Sequence, residues 1–381
     1  MLTYTVRVLS GLITTAHVIA AVASAQGTAT TPPARATTMP PTSAYVILVM
    51  TDGLRWQEFF GGADASLMGP AGRVGDTLAL RTAFWRDTPV ARRETLMPFM
   101  WHTMATRGQI FGDSTVGSIA LLTNGLKFSY PGYSETFTGH VDRRINSNSY
   151  PPNPNRTVFE WLNAQSPLRG KVAAFATWAA FRRIINAERS GVPVFDGWDN
   201  AVANTGTVRS AALRDVLSTQ TRMWGDNTWD ALTHYSAMDY WTVKRPRVLF
   251  IGYGETDEWA HAGRYDQYLK SAHQVDAYIA QIWQRAQADP QMRGRTTLLV
   301  TTDHGRGTGA AWTDHGEDVV GAERIWVAAM GPGIAPTGVR TNTPTTQSQM
   351  AATLAAALGY DWPKAESRAA APLPIFSAVR P

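Results

Sequence analysis

The sequence predicts a three-layer α/β/α sandwich with a mostly parallel central sheet and loop and helix insertions. Three apolar segments, residues 45–50, 248–253 and 296–302, have the unbroken apolar or β-branched character of buried parallel strands. Each of them runs directly into acidic or imidazole side chains. In open α/β sheets ligands collect beyond the carboxyl ends of the strands, so these distant segments are expected to meet in one site.

The residues that follow the three strands carry the candidate chemistry. Asp52 follows the first strand, and Asp303 and His304 follow the third. The second strand leads to Asp257 and His261, which are four residues apart, so one helical turn places both on one face. A lone carboxylate at a strand end often caps the next helix, and Asp52 taken alone would allow that interpretation equally well.

Other segments complete the predicted fold. Residues 171–176 have the character of a further buried strand, and residues 324–331 are expected to form the last one. Pro98 is expected to interrupt a helix over residues 92–104. Helices are also predicted at residues 157–163, 211–224, 227–241, 265–288 and 347–358.

Composition indicates an ordinary globular protein with a substantial core. The chain has 381 residues, of which 44% are hydrophobic and 17% charged. Its net charge of +5 comes from scattered basic residues rather than a basic run, so no nucleic-acid partner is expected. The chain has no cysteine, which excludes a disulfide framework and fits an exported bacterial protein.

The first residues predict export. Arg7 precedes an apolar run that ends in Ala23-Ser24-Ala25, the order of a secretory signal peptide over residues 1–25. Residues 26–43, rich in Thr, Pro and Ala, are expected to be a disordered spacer before a single domain over residues 44–381. A membrane anchor is the alternative, but the run is short and polar for a span. The prediction is a bacterial periplasmic or secreted protein with a Sec-type signal and no stable membrane span after cleavage.

The strand-end groups together suggest a site for two metal ions. Three carboxylates and three imidazoles form a mixed oxygen and nitrogen set, which suits Zn²⁺ better than Ca²⁺ or Mg²⁺. Two metal ions about 3.5–4 Å apart recur in enzymes that bind the oxygens of a phosphoryl group. Ser129 precedes a predicted helix, where it would either act at the site or be a plain N-cap. The candidate ligands are Asp52, Asp257, His261, Asp303, His304 and His315.

Five motifs in one order resemble the alkaline phosphatase superfamily, and within it the nucleotide pyrophosphatase/phosphodiesterase-like branch. The resemblance covers residues from about 45 to 330 and implies an alkaline phosphatase-like fold. The motifs are Val46-Ile47-Leu48-Val49-Met50-Thr51-Asp52-Gly53, Ser129-Tyr130-Pro131-Gly132 with Thr138-Gly139, Asp257-x-x-x-His261, Thr302-Asp303-His304-Gly305 and His315-Gly316.

The resemblance implies two zinc ions and a hydroxyl nucleophile. Ser129 stands where that branch usually has threonine, and it would form a phosphoserine intermediate in a two-step in-line displacement. The implied substrate is a small-molecule phosphate ester, either a monoester or a diester. One ion would be bound by Asp52, Asp303 and His304 together with Ser129, and the other by Asp257, His261 and His315.

Donors to the phosphoryl oxygens are expected beside the nucleophile. The candidates are the backbone N–H after Ser129 and an asparagine of the loop over residues 146–155. The resemblance favours Asn148, with Asn146 as the alternative. For a diester, Tyr130, Tyr133 and Trp178 are candidates for an apolar wall or for core positions.

Several alternatives remain open at this point. A sulfatase-like or phosphonate ester hydrolase uses the same kind of two-metal site, because specificity resides in loops. Ser129-x-Pro131-x is followed by Tyr133 rather than the arginine pattern of sulfatases, and Gly132 replaces an asparagine common in nucleotide pyrophosphatases. A non-catalytic metal-binding protein is a third possibility, which the complete set of ligands with a serine in place disfavours.

Overall fold

The fold is built on one large sheet. The computed structural model describes residues 43–198 and 210–376. The predicted signal peptide and all but the last residue of the predicted spacer lie outside these ranges. An eight-stranded sheet has the order β10-β2-β9-β7-β1-β6-β4-β5, and β11, β3 and β8 form a small second sheet. The strands are β1 Tyr45–Thr51, β2 Gln109–Phe111, β3 Ala120–Leu121, β4 Val172–Ala176, β5 Val194–Asp196, β6 Val248–Tyr253, β7 Thr296–Thr302, β8 Arg324–Ile325, β9 Val327–Met330, β10 Gly338–Val339 and β11 Thr345–Thr346.

Helices follow most strands. The α-helices are α1 Trp56–Gly61, α2 Thr77–Phe84, α3 Pro89–Leu96, α4 Ala105–Arg107, α5 Ser129–Thr138, α6 Val158–Ala164, α7 Phe181–Ile184, α8 Ala187–Ser190, α9 Ala211–Thr219, α10 Asp230–Lys244, α11 Glu255–His261, α12 Tyr265–Ala288, α13 Gln349–Ala357 and α14 Trp362–Ala365. Short 3₁₀ turns lie at Ala65–Leu67, Pro70–Gly72, Ser114–Val116, Ser166–Leu168 and Gly309–Thr313, and Met100–Met104 is a π-helical turn.

The main sheet has a helical layer on each face. Successive side chains of a strand point to opposite faces, and those of β1 accordingly divide between two apolar clusters. Ile47 and Val49 join the cluster formed with α1, α3, α10 and α12, whereas Val46 and Leu48 join the cluster formed with α5, α6, α7, α13 and α14. The predicted three-layer α/β/α fold is therefore confirmed.

The central sheet is parallel except at one strand. β9 pairs antiparallel with both β7 and β2, and the other described pairings of the sheet are parallel. β1 lies between β6 and β7, with Thr51 level with Tyr253 on one side and Thr302 on the other. The segments after these three strands therefore start side by side at one sheet edge.

Most predicted elements match the structure, although the helix predicted over residues 211–224 ends at Thr219. β6 and α12 have the predicted bounds, and β1, β4 and β7 agree to within one residue. The prediction of one last strand over residues 324–331 is wrong, because this segment divides into β8 in the small sheet and β9 in the main sheet. Trp326 separates them: its buried indole N–H donates to the carbonyl of Leu54 at 3.1 Å.

The helix predicted over residues 92–104 is interrupted at the expected place. α3 ends at Leu96, and helical structure resumes at Pro98. A proline is favoured at the first turn of a helix, where no N–H partner is needed, but not in its interior. Within the described ranges no helix is both long and apolar enough to cross a membrane.

Candidate active site

Ser129 begins α5 and is buried at the carboxyl edge of the main sheet. Phe128 occupies the N-cap position in an extended conformation, so the interpretation of Ser129 as a plain N-cap is wrong. The Ser129 side chain is 5% exposed, and its Oγ lies 3.4 Å from His304 Nε2. The hydroxyl therefore faces the strand-end groups.

A glycine allows α5 to approach the end of β7. A Cβ on Gly132 would lie 2.6 Å from the backbone oxygen of Asp303, closer than real Cβ contacts permit. Close packing against the Asp303 backbone therefore explains why the residue after Pro131 is a glycine. This close approach is what brings Ser129 to the end of β7.

Asp52, Asp303 and His304 form a compact buried group. His304 Nε2 lies 3.3 Å from Asp52 Oδ1 and 3.5 Å from Asp303 Oδ2. Among the described residues, neither of these two buried carboxylate oxygens has a hydrogen-bond donor. The other oxygens are bonded: the backbone N–H of Gly53 donates to Asp303 Oδ1 at 3.0 Å, and the Tyr133 hydroxyl donates to Asp52 Oδ2 at 3.1 Å.

Asp257, His261 and His315 form the neighbouring group. Helix α11 places Asp257 and His261 on one face, with His261 Nε2 3.3 Å from Asp257 Oδ2. His315 arrives from the loop after β7, and its Nε2 lies 3.0 Å from His261 Nε2 and 3.7 Å from Asp257 Oδ1. The structure therefore brings the six predicted ligands and Ser129 together.

The two groups adjoin at His304. Its ring stacks on that of His315 with 3.9 Å between the centroids, and its Nε2 lies 3.8 Å from Asp257 Oδ1. Ligand atoms within 4.8 Å of one another occur in the set Asp52, Asp303, His304 and in the set Asp257, His304, His315. His304 is close enough to both sets that geometry alone does not assign it to one.

Burial and charge set the protonation of the histidines. Burial alone would lower the pKa of His304, but the carboxylates of Asp303 and Asp52 outweigh it and raise that pKa to about 9. Burial lowers the pKa values of His261 and His315, and the neighbouring His304 lowers them further. Burial beside Asp52 also raises the pKa of Asp303 well above its usual value.

The donor set fits divalent metal ions. Buried carboxylate oxygens without donors are costly unless a cation faces them, and here they lie among imidazole nitrogens. A mixed set of carboxylates and imidazoles is typical of zinc and similar ions. Histidine ligands usually donate their second ring N–H to an oxygen. His304 Nδ1 lies 2.9 Å from the carbonyl of Gly305, and His315 Nδ1 lies 3.2 Å from that of Lys127.

A polar cavity opens beside Ser129. Its volume is about 340 Å³, and Asp52, Ser129, Asn148 and Trp178 line it. Asn148 Oδ1 accepts the backbone N–H of Tyr130 at 2.9 Å, so the two predicted oxyanion donors are bonded to each other. This bond leaves the Asn148 Nδ2 group as the donor available to a substrate.

The other proposed loop and wall residues are placed differently. Asn146 is exposed and does not line this cavity. Tyr130 and Tyr133 are at most 1% exposed and belong to the core, so neither forms an apolar wall for substrate. Trp178 is the predicted wall residue that lines the cavity.

Sequence reasoning missed two arginines at the site. Arg306 is completely buried, and its Nη2 contacts Asp257 Oδ1. Arg183 lines the cavity with Ser129, and its Nη2 donates to the backbone oxygen of Asn148 at 3.3 Å. Arg306 directly follows Asp303-His304-Gly305, and a basic residue so close to the end of a buried strand could have been predicted to lie at the site. No local signal marks Arg183, which comes from α7.

The sequence pattern of the type I phosphodiesterase / nucleotide pyrophosphatase family matches residues 98–355. This match covers more than half of the chain. The chain belongs to this family. It is accordingly a phosphoric ester hydrolase of the alkaline phosphatase superfamily. No curated protein sequence matches the chain significantly.

Solved structures show the same fold at low sequence identity. The phosphonate monoester hydrolase SpPMH from Silicibacter pomeroyi is 14% identical with a TM-score of 0.51, and the alignment covers 86% of this chain and 75% of that one. A variant of the alkaline phosphatase PafA is 11% identical with a TM-score of 0.54, with 89% and 100% covered. At these identities the likeness supports the fold alone.

Proposed function

We propose that this family member hydrolyses small-molecule phosphate esters through two zinc ions and a phosphoserine formed on Ser129. The observation that carries the proposal is that Ser129 Oγ lies on the cavity wall, 3.4 Å from His304 Nε2, where the two ligand groups adjoin. Phosphoryl transfer to a hydroxyl requires that the hydroxyl lie next to metal ligands and that the substrate reach it through an open cavity.

The ligands would divide into two sets. One ion would be held by Asp52, Asp303 and His304 with Ser129, and the other by Asp257, His261 and His315. Bound zinc would lower the pKa of a coordinated hydroxyl and neutralise charge on the phosphoryl oxygens.

The chain's own residues then carry both steps. The Ser129 oxygen attacks phosphorus as its proton leaves to solvent through the cavity, and the bond from phosphorus to the leaving oxygen breaks, so that an alcohol leaves after taking a proton from solvent. Water then attacks the phosphorus of the phosphoserine, the bond from phosphorus to Ser129 Oγ breaks, and Oγ takes up a proton. The product is phosphate from a monoester or a phosphomonoester from a diester. The Asn148 Nδ2 group, held by the bond between Asn148 Oδ1 and the Tyr130 N–H, is positioned to donate to a phosphoryl oxygen.

The primary test compares a nitrophenyl phosphate monoester, the matched diester, a sulfate ester and a phosphonate ester as substrates. We expect the purified protein to hydrolyse a nitrophenyl phosphate monoester or the matched diester, to lose this activity on chelation and to regain it with zinc. Ser129→Ala should lower kcat by at least about 10³-fold, the scale seen when a nucleophile is removed. Ser134→Ala is the matched control, because this buried serine lies on the same helix with its Oγ bonded to Asn153 Nδ2.

Each adverse outcome removes a specific part of the proposal. Full activity of Ser129→Ala would exclude Ser129 as the nucleophile. Turnover of the sulfate ester or a phosphonate ester alone would favour the alternative of a sulfatase-like or phosphonate ester hydrolase. Binding of zinc without turnover of any ester would support a non-catalytic metal-binding protein.

Arg183 offers a way to separate monoesters from diesters. A phosphate monoester carries one more negative charge than a diester, so a guanidinium on the cavity wall should favour the monoester. Arg183→Met is expected to lower kcat/KM for the monoester about tenfold more than for the diester. Arg182→Met is the control, since this exposed neighbour pairs with Asp196 at 3.5 Å and does not line the cavity. Equal losses for both esters would contradict this role.

We also propose that the protein is exported through a Sec-type signal to the periplasm or the medium. The support is the pattern of Arg7, the apolar run and Ala23-Ser24-Ala25. Expression of the full chain in a bacterium, followed by fractionation and amino-terminal sequencing, should give a mature chain that starts at Gln26. An uncleaved chain in the membrane fraction would support the anchor instead.

A further inference from the structure

Arg306 is a buried cation. Its contacts connect the two chain segments that carry Asp257, His261 and His315, the proposed ligands of the second metal ion. Its side chain is fully buried, and a buried charge is costly unless it is paired and hydrogen-bonded. One guanidinium nitrogen, Nη2, contacts both Asp257 Oδ1 and the backbone oxygen of Asp257, the latter at 3.2 Å. The other, Nη1, donates to the backbone oxygen of Thr313.

These contacts join the two chain segments that supply the second ligand set. Asp257 and His261 lie on α11, whereas Thr313 comes two residues before His315 in the loop after β7. His261 and His315 also meet directly, with 3.0 Å between their Nε2 atoms. Arg306 adds a fork that contacts the helix at Asp257 and the loop at Thr313, and so joins the two segments that carry the three ligands.

The same contact also orients the Asp257 carboxylate. Arg306 engages Oδ1, while Oδ2 lies 3.3 Å from His261 Nε2. Oδ1 also lies 3.7 Å from His315 Nε2, so both carboxylate oxygens face imidazoles of the ligand group. The planar fork of arginine suits a fixed carboxylate, and the contact therefore holds Asp257 in the orientation that faces His261 and His315.

Gly53 makes room for the pair. A Cβ at Gly53 would lie 2.8 Å from Asp257 Oδ1 and 2.9 Å from Arg306 Nε, and the backbone φ of +61° also disfavours a side chain. Arg306 Nε is buried and has no hydrogen-bond partner among the described residues. A side chain at position 53 would therefore have to displace Asp257 or Arg306 from its present position.

We propose that Arg306 is a positioning residue for the second metal site, which holds Asp257 and the loop of His315 in the geometry that binds the ion. The inference rests on the two-zinc site of the proposed function. The positioning role requires the forked guanidinium, so a lysine, which supplies only a positive charge, is expected not to replace Arg306.

The test measures zinc binding directly, by competition with a chromophoric chelator, on Arg306→Lys, Arg306→Met and the wild type. We expect the wild type to bind two ions. In both variants the second ion should bind about 10- to 100-fold more weakly, the usual effect of removing a partner of a metal ligand, while the first ion binds unchanged. Arg340→Met is the matched control. Arg340 Nη1 donates to Gln109 Oε1 at 2.6 Å and to the backbone oxygen of Pro374 at 3.3 Å, and it has no hydrogen bond or ion pair to the proposed ligands.

Gly53→Ala supplies an independent variant that keeps the arginine. Its added methyl should displace the Arg306 and Asp257 side chains and weaken the second ion, so the inference stays testable if an Arg306 variant does not fold. Because the Gly53 N–H also donates to Asp303 Oδ1, only the affinity for the second ion is compared in this variant. Circular dichroism before each titration identifies the folded samples.

Four results would overturn the inference. These are wild-type zinc binding in Arg306→Met, wild-type binding in Arg306→Lys, equal weakening of both ions in the two Arg306 variants, and fewer than two ions on the wild type. The last result would also remove the two-metal part of the proposed function. If the wild type binds two ions, the variants lose one and no ester is hydrolysed, the positioning role stands and the proposed function fails.

Discussion

Backbone carbonyls determine which ring nitrogen of two site histidines is free. The carbonyl of Gly305 lies 2.9 Å from His304 Nδ1, and that of Lys127 lies 3.2 Å from His315 Nδ1. A carbonyl oxygen can only accept, so Nδ1 carries the proton in each ring. Both Nε2 atoms consequently face the carboxylates, and Nε2 is the ring nitrogen that would bind a metal ion once it is unprotonated.

Tyr133 provides a residue-scale prediction. Its hydroxyl is buried and donates to Asp52 Oδ2 at 3.1 Å, and burial together with Asp303 and Asp52 raises the pKa of the phenol well above its usual value. Tyr133→Phe is expected to lower kcat/KM about tenfold, because partners of metal ligands typically contribute this much. It should also weaken zinc binding.

Tyr130→Phe is the matched control for this change. Tyr130 is equally buried on the same helix, but its hydroxyl donates to the carbonyl of Pro151 at 2.9 Å, away from the ligands. Its stability should fall by about 1 kcal/mol, the net worth of a hydrogen bond, with kcat/KM unchanged. Equal activity losses in the two variants would mean that Tyr133 acts only through folding.

The contact of α5 with the end of β7 leads to an element-scale prediction. In Gly132→Ala the new Cβ would meet the backbone oxygen of Asp303 at 2.6 Å, and a backbone atom cannot move aside cheaply. The helix must shift, so we expect a loss of about 1–3 kcal/mol in unfolding free energy, as for other overpacked positions. Activity should fall further, because Ser129 moves with the helix.

Gly61→Ala tests whether alanine as such is harmful. No described atom lies within 4 Å of a Cβ placed at Gly61, near the end of α1. Its stability should stay within about 0.5 kcal/mol of the wild type. Urea unfolding and kcat/KM are the measurements, and wild-type values for Gly132→Ala would refute the packing argument.

Asp276 joins α12 to the helical segment that resumes at Pro98. Its carboxylate accepts the backbone N–H groups of Phe99 at 2.8 Å and Met100 at 2.9 Å, which have no partner within their own helical turn. Burial raises its pKa to about 6, although these two bonds and the nearby imidazoles of His273 and His102 act in the opposite direction.

The raised pKa of Asp276 predicts a pH-dependent stability. Between its unfolded value near 3.8 and its folded value of about 6, the folded protein holds a proton that the unfolded chain has released. This contribution is fully present below pH 3.8 and is lost as pH rises through 6, by an amount of about 3 kcal/mol. Asp276→Asn should abolish this part of the slope in urea unfolding at pH 4 to 7, measured as a difference from the wild type. Parallel pH profiles of the two proteins would contradict it.

Metal removal is the prediction for the whole molecule. The ligands come from segments after β1, β6 and β7, so bound ions would connect distant parts of the chain in the folded state alone. A ligand present at 1,000 times its Kd stabilises the folded state by about 4 kcal/mol. Chelation should therefore lower the Tm by roughly 5–15 °C for a chain of this size. Zinc should restore the Tm and calcium should not, and identical thermal transitions with and without chelator would contradict bound ions in the folded state.

Local patterns were sufficient to predict most of the framework. An apolar strand that stays buried on both faces, such as β1 or β7, is recognisable because its neighbours in sequence share its environment. The division of residues 324–331 was not predictable in this way. Whether a short apolar segment joins one sheet or two depends on partners far along the chain, here β3, β2 and β7.

Spacing along the chain was enough to establish the α/β class, the strands that precede Asp52, Asp257 and Asp303, and the set of candidate ligands. The tertiary structure decided which groups contact one another: Tyr133 with Asp52, Asn148 with the N–H of Tyr130, and Arg306 with Asp257. Such contacts join residues separated by many positions, and their distances depend on how closely helices such as α5 pack on the sheet. Packing of this kind leaves no periodic signal in the sequence, which is why only the folded chain shows it.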